Sequence, residues 1–259
     1  MNLSLSNFAW DFDNLEEVSI ILKENGINQI ELVFPKYKNW GELTESDVYI
    51  LKDLLGDYGL STMSTQSLFY GVDCKSMVTD SEKFINHFDK LISYSKIMGI
   101  KVLVFGSPGL RNFDNTIESN LHDTLKTIDN MLNDTGIILC IEPNSSVYGG
   151  DFFYTIEEIV NFLKTFEFKN IFTMCDTHNS WLENKNPLEE IELFLPYIKH
   201  IHISEIKLET ISNYNKFSNI KNKLIEKGYS GIVTYEVLKN ENVIDSVVEF
   251  GNFFSVNGT

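Results

Sequence analysis

Glu142, Asp176, His202 and Glu236 each stand at or near the carboxyl end of a short apolar run, at 137–141, 171–175, 198–203 and 232–235. Three carboxylates and an imidazole suit a hard or borderline divalent ion such as Mn²⁺, Mg²⁺, Co²⁺ or Zn²⁺. Intervals of 34, 26 and 34 residues separate the four, enough each time for a crossover helix and two loops between successive parallel strands. Such side chains converge when the carboxyl ends of all strands open onto one rim, as in a closed (β/α)8 barrel. Taken singly, each has a plainer explanation. Glu142, followed by Pro143, could simply end a strand, Asp176 could cap a helix, and a lone His202 could be a satisfied core group. Glu236 is harder to dismiss, because a carboxylate between Tyr235 and Val237 needs a cation or hydrogen-bonding partners. His202 alternates with His200 along one strand, and one of the pair is expected to face the barrel and the other the helices.

The elements that must position these residues recur along the chain. Apolar runs predict strands at 3–9, 29–33, 60–65, 101–105, 137–141, 171–175, 198–203 and 232–238, with helical periodicity between them. Between the third and fourth strands, Phe84, Phe88, Leu91, Ile92 and Ser95 fall at helical spacing, with Thr79 to Glu82 read as a capping box. A second box, Thr155 to Glu158, opens the helix whose stripe is Ile156, Ile159, Val160 and Leu163. Gly26, Gly59, Gly99, Gly136 and Gly228 each close a helix just before the next strand. A doubly wound open sheet shares this alternation, but it seldom needs eight units, and no Gly-x-Gly-x-x-Gly follows the first strand. The expectation is an α/β fold, a (β/α)8 TIM barrel, forming a single domain over residues 1–259.

Composition bounds the partners. A formal net charge of −16 opposes a polyphosphate backbone or an anionic bilayer, so neither nucleic acid nor membrane is an expected partner and a small polar substrate fits better. Cys74, Cys140 and Cys175 are odd in number and read as reduced core residues, and the amino terminus lacks the pattern of a secretion signal, so a cytoplasmic location is expected. Homo-oligomerisation is left open. Among 21 basic residues Arg111 is the only arginine, either a surface residue in a lysine-rich chain or a planar fork needed beside the pocket. Trp10, Gln66, Phe69, Tyr148 and Trp181 lie in or beside predicted loops at the same rim, where aromatics and amides suit the faces and hydroxyls of a sugar. Asn144 and His178 sit within two residues of a candidate ligand.

These residues carry a resemblance that runs nearly end to end. Ile30-Glu31-Leu32, Val104-Phe105-Gly106-Ser107-Pro108 with Arg111, Cys140-Ile141-Glu142-Pro143-Asn144, Tyr148-Gly149-Gly150-Asp151-Phe152, Cys175-Asp176-Thr177, His200-Ile201-His202-Ile203-Ser204-Glu205 and Tyr235-Glu236-Val237 are similar to segments of the xylose isomerase-like TIM barrels, nearest to the sugar phosphate isomerase/epimerase group. The resemblance implies one divalent metal ion held by Glu142, Asp176, His202 and Glu236. It further implies an isomerase or epimerase acting on a keto sugar or sugar phosphate, with Glu142 and Glu236 as an acid/base pair moving a proton through a metal-stabilised enediolate. Arg111, Asn144, Tyr148, His178, Gln66, Trp10 and Lys207, taken from their places at the rim, are the expected substrate contacts.

Three positions depart from the ketose 3-epimerases of that superfamily. Only Thr177 separates Asp176 from His178, Tyr148 stands where those enzymes have a second glutamate, and Lys207 is the nearest cation where they have an arginine after the seventh strand. Inosose-type dehydration on the same site, a metal-free glycosidase pair and a non-catalytic sugar-binding barrel are the competing readings. Endonuclease IV-like repair would need further histidines where this chain has Gln66 and Gly106.

Overall fold

The computed structural model describes residues 1–112 and 117–255. Strands Asn2–Ser6 (β1), Gln29–Leu32 (β2), Ser61–Thr65 (β3), Val102–Phe105 (β4), Ile138–Ile141 (β5), Ile171–Asp176 (β6), Ile198–Ile203 (β7) and Ile232–Tyr235 (β8) pair in parallel in chain order. β1 pairs with both β2 and β8, so the sheet closes into a (β/α)8 barrel. β4 and β8 are buried at every position, as strands covered on both faces must be, which is why β4 reads as an unbroken apolar run and β8 is broken only by Thr234.

Helices such as Ser81–Met98 and Ile156–Phe166 cover the barrel through the stripes their periodicity predicts: Phe84, Phe88, Leu91, Ile92 and Ser95 on one, Ile156, Ile159, Val160 and Leu163 on the other, all buried. Gly99 ends the first of these at φ 82°, a left-handed conformation a side chain would resist. The other four helix-closing glycines also have positive φ.

Several boundaries differ from the sequence-based expectation. β1 stops at Ser6 because the Ser6 side chain accepts the Phe8 amide while Asn7 Oδ1 accepts the Val33 amide at 2.8 Å, turning the chain into a short 3₁₀ segment. β8 stops at Tyr235 and β6 runs one residue further, to Asp176. The box at Thr79 does not form: Asp80 occupies the N-cap without a side-chain bond. Thr155 does cap its helix, but Glu158 reaches back to the Tyr154 amide rather than to Thr155. A reciprocal box forms instead at Thr44 and Asp47, where aspartate replaces the longer acid.

Inside the barrel, Val102, Val104, Cys140, Met174 and Ile232 form an apolar cluster separate from the large strand-to-helix core. The three cysteines are free and buried. Two register shifts interrupt the pairing, between Ile30 and Glu31 of β2 against β3, and between Thr173 and Met174 of β6 against β7. Among the described residues no helix is long and apolar enough to cross a membrane.

Candidate metal centre

The barrel brings the four expected residues together. One donor atom from each of Glu142, Asp176, His202 and Glu236 lies within 4.8 Å of the others, and all four residues are buried. Backbone pairing beyond the strands holds the two glutamates at the rim: the Glu142 amide donates to Phe105 O at 3.0 Å and the Glu236 amide to Ile203 O at 3.1 Å. Gly106 makes room for this, since a Cβ there would collide with Glu142 Oε2 and meet Asn144 Oδ1 at 3.4 Å.

Asp176 fills both roles weighed for it. It caps the helix Thr177–Leu182 by accepting the His178 amide at 2.9 Å, and the Ser204 hydroxyl and the Asn179 carboxamide also donate to its oxygens. A carboxylate so bound has one orientation, fixed before any ion arrives.

His200 and His202 both face the barrel interior, which corrects the expectation that they diverge. Residues two apart on a strand share a face. Between them and the opposite wall lies Glu31, fully buried, with Oε2 at 2.7 Å from His200 Nε2 and Oε1 at 2.8 Å from His202 Nε2. One carboxylate thus faces one nitrogen of each ring, and His200 Nε2 also lies 3.2 Å from Thr234 Oγ1. The other nitrogen of His202, Nδ1, faces Glu236 Oε2 at 3.2 Å and Glu142 Oε1 at 3.7 Å and has no hydrogen-bond partner.

The electrostatics follow. Burial, then the Glu236 charge, pushes the Glu142 carboxyl from an ordinary 4.5 to about 8. Burial and Glu236 also raise Asp176. Burial works against the Glu31 charge, but the adjacent imidazoles outweigh it and hold that carboxyl well below the usual range. Burial likewise opposes charge on His202, yet Glu31 and Glu236 hold it well above the ordinary imidazole value. Crowded buried carboxylates beside an unpartnered imidazole nitrogen are a donor set short of one cation, and a divalent ion fits them.

The expected substrate contacts divide. Tyr148, about half exposed, and buried His178 touch, Oη to Nε2 at 2.6 Å. The Lys207 backbone amide, in a residue at φ 62°, donates to His178 Nδ1 at 3.2 Å. A neutral His178 therefore carries its hydrogen on Nε2 and gives it to Tyr148, leaving the phenolic hydrogen for an acceptor outside the pair. Lys207 thus meets the site through its backbone. Asn144 lies beside Glu142 across Gly106, its Oδ1 buried and without a hydrogen-bond partner. Gln66 is buried and donates to Ser6 Oγ at 2.7 Å.

Arg111 and Trp10 are corrections. Arg111 is 1% exposed, and its guanidinium donates to Phe105 O at 2.8 Å, Glu142 O at 2.7 Å and Phe153 O at 3.2 Å while lying over the Phe105 ring. The planar fork binds backbone carbonyls beneath the rim. Burial pulls its pKa down to about 10, leaving it charged at neutrality. Trp10 is 3% exposed and packs against Phe12 in the apolar core.

The family profile described as xylose isomerase-like TIM barrel matches residues 21–252. The chain belongs to this family. No curated protein matches the sequence. Solved structures similar to this xylose isomerase-like barrel include 3-keto-D-glucoside 4-epimerase from E. coli, with 15% identity, 96% of this chain and 97% of that one covered, and a TM-score of 0.74. D-psicose 3-epimerase from Clostridium cellulolyticum H10, with D-tagatose, is 13% identical over 97% and 96% of the chains, with a TM-score of 0.75. An AP endonuclease, family 2, from Brucella melitensis is 16% identical over 96% and 98%, with a TM-score of 0.77. At these identities the likeness shows the fold. The sequence assigns no role to Glu31, Ser204 or Asn179, and its expectation for His200 was only that it and His202 face opposite ways. The signal available for Glu31 was a lone acid inside the apolar run Ile30-Glu31-Leu32.

Proposed function

We propose that the protein is a divalent-metal-dependent isomerase or epimerase of a keto sugar, with Glu142 and Glu236 as the proton-moving pair. The observation that carries this reading is the convergence of four buried donors from the last four strands around an unpartnered imidazole nitrogen. An ion held there would supply Lewis-acid stabilisation of negative charge developing on substrate oxygens. Glu142, raised to about 8 in the metal-free site, would move a proton together with Glu236, and a bound cation would favour the ionised form of both. The phenolic hydrogen of Tyr148 offers a donor to a substrate oxygen.

With Arg111 bound to backbone carbonyls, no guanidinium is offered to a phosphate. The reading therefore favours an unphosphorylated keto sugar over its phosphate. Two features speak for sugar chemistry over DNA repair: the net charge of −16, and Gly106, where a side chain would collide with Glu142.

The test is incubation of Mn²⁺-loaded protein in D₂O with a panel of ketoses, keto-sugar phosphates and inososes, read by NMR. Deuterium at the carbon beside the carbonyl is expected. Metal binding without exchange into any member would overturn the enzymatic reading, and elimination from an inosose would replace epimerisation by dehydration.

A further inference from the structure

Glu31 reaches across the barrel. Its strand, β2, is separated from β7 by β1 and β8, yet its two carboxylate oxygens face two histidines of β7, at 2.7 and 2.8 Å. The local irregularities of the sheet fall at these partners. The shift of β6 against β7 lies immediately before His200, with Lys199 as the extra residue of β7, while in the shift of β2 against β3 the extra residue is Met63 of β3, across from the step between Ile30 and Glu31. The bulge at Lys199 re-aims the side chains that follow it on β7, His200 and His202. The cost is a fully buried carboxylate with no hydroxyl or amide bonded to it, and a purely structural account gives no reason for placing it against the one imidazole that also faces Glu142 and Glu236.

Hydrogen parity on His202 supplies the reason. An imidazole nitrogen that binds an ion must offer its lone pair, so a neutral ring then carries its only hydrogen on the other nitrogen. In His202 the nitrogen facing the carboxylates is Nδ1 and the one facing Glu31 is Nε2. A carboxylate charge 2.8 Å from the distal nitrogen favours the hydrogen there, and so leaves the lone pair of the other nitrogen to an ion.

We propose that Glu31 is the positioning residue of the metal centre: it holds His202 with its hydrogen on Nε2 and Nδ1 presented to a divalent ion, and uses its second oxygen on His200 to stay in place. The assignment rests on the metal-centre reading above, and Glu31 acts only through His202.

The decisive measurement is Mn²⁺ affinity by competition with a chelating indicator, with the Co²⁺ absorption spectrum as a report on ligand geometry, in a double-mutant cycle. Glu31→Gln is expected to weaken Mn²⁺ binding about 10- to 100-fold and to change the Co²⁺ spectrum. In a His202→Ala background the same substitution should change the affinity no further, because the residue it acts through is gone. Equal loss in both backgrounds would overturn the proposal in favour of a general structural role, and unchanged affinity in Glu31→Gln would overturn it outright. Should Glu31→Gln fail to fold, Glu31→Asp, which keeps the charge and shortens the reach, is expected to weaken binding several-fold, and unchanged affinity there would also overturn it. Two ions per chain, one lost on Glu31→Gln, would make Glu31 a ligand and overturn the positioning role. If the unaltered protein binds no Mn²⁺ or Co²⁺, the metal-centre reading falls and this assignment with it. Failure of the cycle in a protein that does bind metal strikes the assignment alone.

Discussion

Burial, with the charge of Glu236 beside it, raises the Glu142 carboxyl to about 8 in the metal-free protein. Replacing either by glutamine keeps its shape and removes the exchangeable carboxyl. Glu142→Gln and Glu236→Gln should each lower turnover about 10²- to 10⁴-fold with an unchanged circular dichroism spectrum, and full activity in either variant would end the two-base reading. The raised Glu142 pKa also has a stability consequence in metal-free protein. An acid whose pKa is 4.5 unfolded and about 8 folded binds more protons in the folded state between those values. Rising pH therefore removes its stabilising contribution across that window. Thermal melts of chelated protein from pH 5 to 8 should fall more steeply for wild type than for Glu142→Gln, and parallel curves would show that Glu142 is not the group responsible. The four ligand candidates were legible as types at strand ends, whereas Glu31 was not. A single acid in an apolar run gives no sign, without the register, of what stands across the barrel.

At the scale of elements, one guanidinium ties three segments together. Arg111 holds the end of β4 through Phe105 O, the residue after β5 through Glu142 O and the following loop through Phe153 O. Lysine cannot span those carbonyls with one ammonium. Arg111→Lys should destabilise the fold by about 3 kcal/mol or more, read as a lowered urea midpoint, while the KM of the folded protein stays near wild type; a KM defect at unchanged stability would return Arg111 to the substrate. The sequence supported either a surface or a pocket role for this residue, and the reason neither held is physical. A lone arginine next to a rim loop looks alike from sequence whether it points outwards or beneath the loop, and only the closed sheet shows three carbonyls waiting for it. Alternating apolar strands and glycine-ended helices were legible because burial on both faces and left-handed helix ends constrain residue type directly. The ends of β1 and β8 were not, since Ser6 and Asn7 redirect the backbone through bonds to residues chosen by the fold.

For the whole molecule, the apo state keeps three carboxylates and an imidazole inside a protein already carrying a net charge of −16. An ion that binds only the folded chain raises its stability by mass action, about 2.7 kcal/mol at a hundredfold excess over Kd. Mn²⁺ should therefore raise Tm and excess chelator should lower it, whereas a melting curve indifferent to both would remove the ion from the account. The apolar cluster of Val102, Val104, Cys140, Met174 and Ile232 inside the barrel bears on traffic rather than on stability. It makes the well blind at its floor: a molecule that enters has one mouth through which to leave, so the next cannot descend until the last has climbed out. Product added at the start should then compete with reactant for free protein alone, raising the slope of a reciprocal plot while its intercept stays put.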